Sequence, residues 1–132
     1  MNREISIIPD KQIVVLHSYG KITLADRIRN QQETIDFCRE KGIRNVIIDT
    51  RGQISCSSTT ALFDFAETIA KATHGFRLAY IRDCKDTVVQ FIENVAANRG
   101  AITESFVSFE KAQKWLESLD SEYSQCIDSN KQ

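Results

Sequence analysis

Arg44-Asn45-Val46-Ile47-Ile48-Asp49 leads through a polar loop to Ser57-Ser58-Thr59-Thr60, and that hydroxyl run opens an apolar-faced segment ending near Ala72. Val46, Ile47 and Ile48 are apolar at successive positions. Both faces of an extended segment there require burial, which is the pattern of a central parallel strand. Asp49 ends the strand with a charge, and Gly52 permits a tight turn. The hydroxyl residues stand where the first turn of a helix has N–H groups without partners. Strand end, loop and helix N-terminus therefore meet at one edge, and in open α/β sheets that edge is where ligands sit. The helix itself, from Ser57 or Ser58 to Lys71, carries Leu62, Phe65, Ala66 and Ile69 as its apolar stripe, widened by Phe63 and Ala70. Asp64, Glu67, Thr68 and Lys71 take the opposite face, so the helix is expected to pack on a sheet.

Toward the N-terminus, residues 4–8 and 12–19 are β-prone, and Pro9-Asp10-Lys11 between them is a turn signal. The three segments together predict an antiparallel hairpin. Val14 and Leu16 share one face of its second strand and Ile13 and Val15 the other, which predicts an interior strand. His17 falls on the Ile13/Val15 face, and the sequence offers it no catalytic partner. Gly20 leaves the sheet. Thr23-x-x-Asp26 resembles a capping box and opens the first helix, whose face reads Leu24, Ile28, Ile35 and Cys38. Gln31 and Gln32 interrupt that face, either as rim residues or as the polar edge of a groove. Gly42 suits the left-handed position that stops the helix.

Toward the C-terminus, residues 76–82 form another strand, and Asp83-Cys84-Lys85-Asp86 the next turn, in which either Asp can cap the third helix. His74 lies at or beyond the end of the preceding helix. Val88, Phe91, Ile92, Val95 and Ala96 have the spacing of that third helix, and Gly100 stops it. Residues 103–107 are a short, more polar strand suited to a sheet edge. Ser108 caps a last helix with Ala112, Trp115, Leu116 and Leu119 on its core face. Tyr123, Cys126 and Ile127 continue the spacing without an intervening Gly or Pro, so the helix either extends past Leu119 or frays there. The order β-β-α-β-α-β-α-β-α predicts an α/β fold. It is a single mixed sheet, with an N-terminal antiparallel hairpin and then parallel strands joined by right-handed crossovers, carrying about four helices. Residues 1–127 are expected to form one domain and 128–132 a polar tail.

The 132 residues suit one domain, burying roughly two-thirds of the unfolded surface on folding. A formal net charge of −1 with interspersed signs argues against a broad nucleic-acid surface. No apolar run approaches the roughly 20 residues of a membrane span, and no signal peptide is visible, so a cytoplasmic location is expected. Cys38, Cys56, Cys84 and Cys126 lie far apart with no Cys-x-x-Cys pair, which favours reduced thiols over a metal or disulfide framework. Cys38 reads as core filler.

The chain resembles the STAS-like family, the fold of bacterial anti-sigma-factor antagonists and of the cytoplasmic domains of sulfate transporters. Within it the chain looks most like the STAS-like proteins that are also similar to CRAL-TRIO lipid-transfer domains. The resemblance covers nearly all of residues 4–119. It rests on element order, on the hairpin followed by Gly20-Lys21-Ile22-Thr23, on Val46-Ile47-Ile48-Asp49-Thr50-Arg51, on Phe76-Arg77-Leu78-Ala79-Tyr80 and on Ala112-Gln113-Lys114-Trp115-Leu116. Anti-sigma-factor antagonists carry a regulatory phosphoserine in an Asp-Ser-Ser-Gly turn at the start of the second helix. Counting from the strand-ending acid places Ser58 there, with Ser57 an equal candidate if the loop shifts register. Here Ser57 replaces the preceding Asp and Thr60 the Gly. The resemblance implies no catalytic centre.

Three sites are open to the sequence. Phosphorylation at Ser57 or Ser58 would place about −1.5 to −2 charge at a helix N-terminus, where the dipole stabilises it and where the bulk could block a partner. Otherwise these hydroxyls are plain N-caps. Arg51, Gly52, Ser57, Ser58, Thr59, Arg82 and Lys85 form a candidate ligand- or partner-binding edge if the strands ending at Asp49 and Ile81 are neighbours. A third site is an apolar-ligand groove between the sheet, the Phe-rich second helix and the Gln-interrupted first helix. Cys56 and Cys84 both precede helix starts and could form a redox pair. No phosphate-loop, dinucleotide or metal signature is present, and no cofactor is expected. The expected function is a non-catalytic regulatory or protein-interaction module, possessing a phosphorylation switch at Ser57 or Ser58. The alternative is a small-molecule or lipid binder, taking an apolar or anionic ligand. A homodimer through residues 103–107 or the last helix stays open.

Overall fold

A computed structural model describes residues 3–55, 58–84 and 86–130. In chain order the elements are β1 (Arg3–Ile8), β2 (Ile13–Ser18), β3 (Gly20–Ile22), α1 (Leu24–Lys41), β4 (Asn45–Asp49), β5 (Gln53–Ser55), α2 (Thr59–Ala72), β6 (Arg77–Ile81), α3 (Thr87–Asn98), β7 (Ile102–Phe106) and α4 (Phe109–Asn130). The main sheet has the order β1-β2-β4-β6-β7. β1 and β2 are antiparallel, with Ile5 opposite Leu16. The remaining neighbours are parallel, with Val14 beside Val46, Val46 beside Leu78 and Ile81 beside Phe106. The α/β class, the mixed sheet, the interior β2 and the edge position of β7 agree with the pattern of the sequence.

From β2 the sheet grows in a single direction, to β4, β6 and then β7. Right-handed crossovers made in one direction deliver every connecting helix to the same face. Accordingly α1, α2 and α3 share one core, in which Ile35, Leu62, Phe65, Ile69, Val89 and Ile92 pack on Val14, Val46 and Leu78. The chain then turns back, and α4 covers the opposite face, where Ala112 and Leu116 pack against Ile13, Ile47, Ala79 and Ile81. The result is asymmetric, with three helices on one side and one on the other.

Local chemistry sets the helix ends. Thr23 and Asp26 form a complete capping box at 3.0 and 3.1 Å, and Gly42 ends α1 in the left-handed conformation at φ 69°. Asp86, not Asp83, caps α3, accepting from the Val88 and Val89 amides at 3.0 and 3.2 Å. Cys38 is fully buried, and burial pushes its thiol up to about 11.

Four details depart from the sequence pattern. Gly20–Ile22 and Gln53–Ser55 pair as a small parallel two-stranded sheet where the sequence shows only loops. Ile28 is 49% exposed, so it does not belong to the buried face of α1. Phe63 is also exposed rather than widening the α2 stripe, and the Arg99 guanidinium stands 5.6 Å from its ring centroid. Finally, α4 continues to Asn130, three residues into the stretch expected as a tail, because no Gly or Pro stops it.

Candidate functional site

The expected edge assembles at the C-terminal ends of β4 and β6. The two strands are neighbours, and their loops are tied together by the Gly52 amide donating to Asp83 Oδ2 at 3.0 Å. Arg51 and Arg82 there are already engaged. Arg51 folds back on Asp49, with Nε donating to Oδ1 at 3.0 Å and Nη2 to Oδ2 at 2.7 Å, while its own amide donates to Oδ1 at 3.2 Å. Asp49 is buried, which raises its pKa, but these bonds and the nearby His17 outweigh burial and hold the carboxyl below the usual value. Arg82 donates to the carbonyls of Asp83 and Cys84 at 3.3 and 3.2 Å. Ser58 is the exposed N-cap of α2, its Oγ accepting from the Ala61 amide at 3.2 Å. Thr59 is the first residue of α2. Ser57, Lys85 and Cys56 lie outside the described residues, so the expected Ser57 acceptor, Lys85 contact and Cys56–Cys84 pair are not placed. His17 stands beside Asp49 in register and its ring lies 5.2 Å from that of Tyr19.

A second feature lies deeper. A cavity of ≈ 50 Å³ sits between the sheet and the three-helix layer. That exceeds the ~10–15 Å³ that one water requires. From the sheet come Leu16, Ser18, Val46, Ile48, Thr50, Leu78 and Tyr80, and from β5 comes Gln53. Phe65, Ile69 and Thr73 contribute from α2 and Ile92 from α3. The wall given by α1 is different in kind: Arg27, Asn30, Gln31 and Thr34, followed by Ile35. Arg27 and Asn30 are each only 7% exposed, and Thr34 2%.

Several polar groups in this wall have no protein partner. Arg27 Nε, Gln31 Nε2 and Gln53 Oε1 are buried without a hydrogen bond, although Gln53 Nε2 does donate to Ser18 Oγ at 3.0 Å. Among the described residues no carboxylate forms a salt bridge with Arg27. Burial lowers the pKa of its guanidinium, and Tyr80 and Asp86 act in the other direction. Arginine remains cationic regardless. Asp86 forms no salt bridge with it, and its Oδ1 caps α3. Burial pushes the Tyr80 phenol well up from its ordinary value, with Arg27 opposing, so Tyr80 is a neutral O–H beside a cation. A buried charge and buried amides without partners are costly, and native interiors rarely leave them so.

Of the two glutamines read as the polar edge of a groove, Gln31 lines this cavity together with Phe65, whereas Gln32 is exposed and donates to Asp36 Oδ1 at 2.9 Å. Arg27, Asn30, Thr34 and Tyr80 do not stand out in the sequence as site residues. Their signal is nonetheless there: 27, 31, 34 and 38 continue at helical spacing from Leu24 to Cys38, so the buried face of α1 is polar for two turns. A reading of that face through Ile28 follows a single apolar residue off the line.

No family model matches the chain, and no curated protein and no solved structure matches it. Among the described residues there is no group of three or more His, Cys, Asp or Glu placed to hold a metal ion. Likewise no helix among them is long and apolar enough to cross a membrane.

Proposed function

We propose that this chain is a non-catalytic binding domain that holds a small molecule in the cavity between α1, α2, α3 and the sheet. The observation that carries this reading is the lining. Eight apolar and nine polar described residues line the cavity, and its open surface is mainly of apolar atoms. Three polar atoms, Arg27 Nε, Gln31 Nε2 and Gln53 Oε1, lack a protein partner. An apolar surface with a few convergent polar groups is how small-molecule sites are built. The described lining residues include amides, hydroxyls, one phenol and one guanidinium but no carboxylate, imidazole or thiol, so the chemistry favours holding over proton transfer or nucleophilic attack. The STAS-like resemblance is part of the same proposal and rests on element order and on the quoted strand and helix motifs. Native mass spectrometry of protein purified from its own source tests it. The expected result is an added mass that is released on denaturation. Protein of bare mass that also fails to bind any small apolar probe would contradict it.

A second reading is favoured by Ser58. Its hydroxyl is exposed at the N-terminus of α2, where an anion is stabilised by the helix dipole. In this reading the domain is a regulatory module for a protein partner, and phosphorylation at Ser58 or Ser57 switches its contact edge. A phosphate on the peptide containing both serines supports it, and its absence from protein isolated under several growth conditions counts against it.

A further inference from the structure

We infer that the cavity ligand is a compact organic carboxylate with an apolar body, its carboxylate seated on Arg27. This deepens, and rests on, the binding reading above. Arg27 is more than nine-tenths buried, lines the cavity, and lacks a carboxylate partner among the described residues. A guanidinium left so is strongly destabilising unless an anion joins it. Its planar fork matches a carboxylate in two parallel hydrogen bonds. Tyr80 adds a neutral O–H donor and Gln31 an unpartnered Nε2–H on the same lining. Both suit an oxygen acceptor.

The charge and size are bounded by the same wall. Among the described residues Arg27 is the one cation in the lining, so a monoanion fits better than a phosphate ester carrying close to two charges. Away from Arg27 the lining includes Leu16, Ile48, Phe65, Ile69, Leu78 and Ile92, and the hydroxyls of Thr34, Thr50 and Thr73 are taken up by backbone carbonyls, which favours an apolar body. At ≈ 50 Å³ the enclosed space is well below the ~150 Å³ that holds a benzene ring, so it takes the carboxylate and a short apolar stem while any longer body extends through the open side.

Calorimetric titration with hexanoate and benzoate, each against its alcohol and against inorganic phosphate, tests the assignment. The wild-type protein is expected to prefer each carboxylate to its alcohol by about 10-fold or more, the range of a charge-assisted hydrogen bond. Inorganic phosphate is expected to bind at least as weakly as the alcohols. Arg27→Met should remove that preference, weakening the carboxylates about 10–100-fold and leaving the alcohols within about threefold. Tyr80→Phe should weaken the carboxylates less. If carboxylate and alcohol bind the wild type equally, or if carboxylate affinity survives Arg27→Met, the anion assignment falls while the binding cavity stands. Phosphate binding as tightly as hexanoate removes the apolar body from the assignment. If no probe of either kind binds the wild type, both the assignment and the binding reading fall. The wild-type comparison decides the matter even if Arg27→Met does not fold.

Discussion

At Asp49 burial and ion pairing act against each other. The carboxylate is taken out of water, yet three N–H bonds from Arg51 keep it ionised. Its folded pKa lies below the ordinary 3.8, so its contribution to stability is complete above that value and is lost as pH falls through the folded value. Asp49→Asn is therefore expected to destabilise the protein at neutral pH, with the gap to wild type closing below about pH 4 in urea titrations. At Arg27 the balance has the opposite sign, because burial outweighs the attraction of Asp86 and no carboxylate among the described residues forms a salt bridge with it. Arg27→Met should stabilise the ligand-free protein by about 1 kcal/mol or more, raising Tm by several degrees in a calorimetric scan. A fall in Tm would show that Arg27 is paired within the fold. Neither residue's role is legible in the sequence. There Asp49 is a strand end and Arg51 an open cation, because the side-chain return from Arg51 to Asp49 is a matter of rotamer, not spacing.

At the scale of elements, the caps and the periodic faces are the most readable features. Thr23-x-x-Asp26, Gly42 and Ser108 each occupy the position that their chemistry predicts, with Lys111 N donating to Ser108 Oγ at 3.4 Å. Ser58 belongs to the same class. Ser58→Ala should cost about 1 kcal/mol in denaturant unfolding, whereas Ser58→Asp, an equally good cap, should stay close to wild type. A regulatory effect of Ser58→Asp would then be free of a stability artefact. The β3–β5 pair is not readable, since three-residue strands containing Gly20 and Gln53 carry no period and their pairing is non-local. The polar face of α1 is hidden for a different reason. Amphipathic patterns assume that the buried face is apolar, and that assumption fails where a helix lines a cavity.

The whole molecule is a sheet with unequal faces. Strand alternation and chain order are enough to give the class and the parallel sheet. Right-handed crossovers then place three helices on one side. The α4 face is closed by Ile47, Ile81, Ala112 and Leu116, all without appreciable exposure. Ile47→Ala should therefore cost about 2–5 kcal/mol in urea unfolding, the range for truncating a close-packed aliphatic side chain. A cost below about 1 kcal/mol would mean that this face is less tightly packed than described. The other face is interrupted by a polar-walled space, which no composition statistic could show, because it depends on which residues α1 turns inward.

That division provides its own internal control. A methyl-resolved NMR titration of the wild-type protein with hexanoate would report on both faces at once. Saturable shifts are expected at Leu16, Ile48, Ile69 and Ile92, which line the cavity, and none at Ile13, Ile47 and Ile81 beneath α4. Shifts absent from both sets, or equal in both, would contradict a ligand site between the sheet and its three-helix layer.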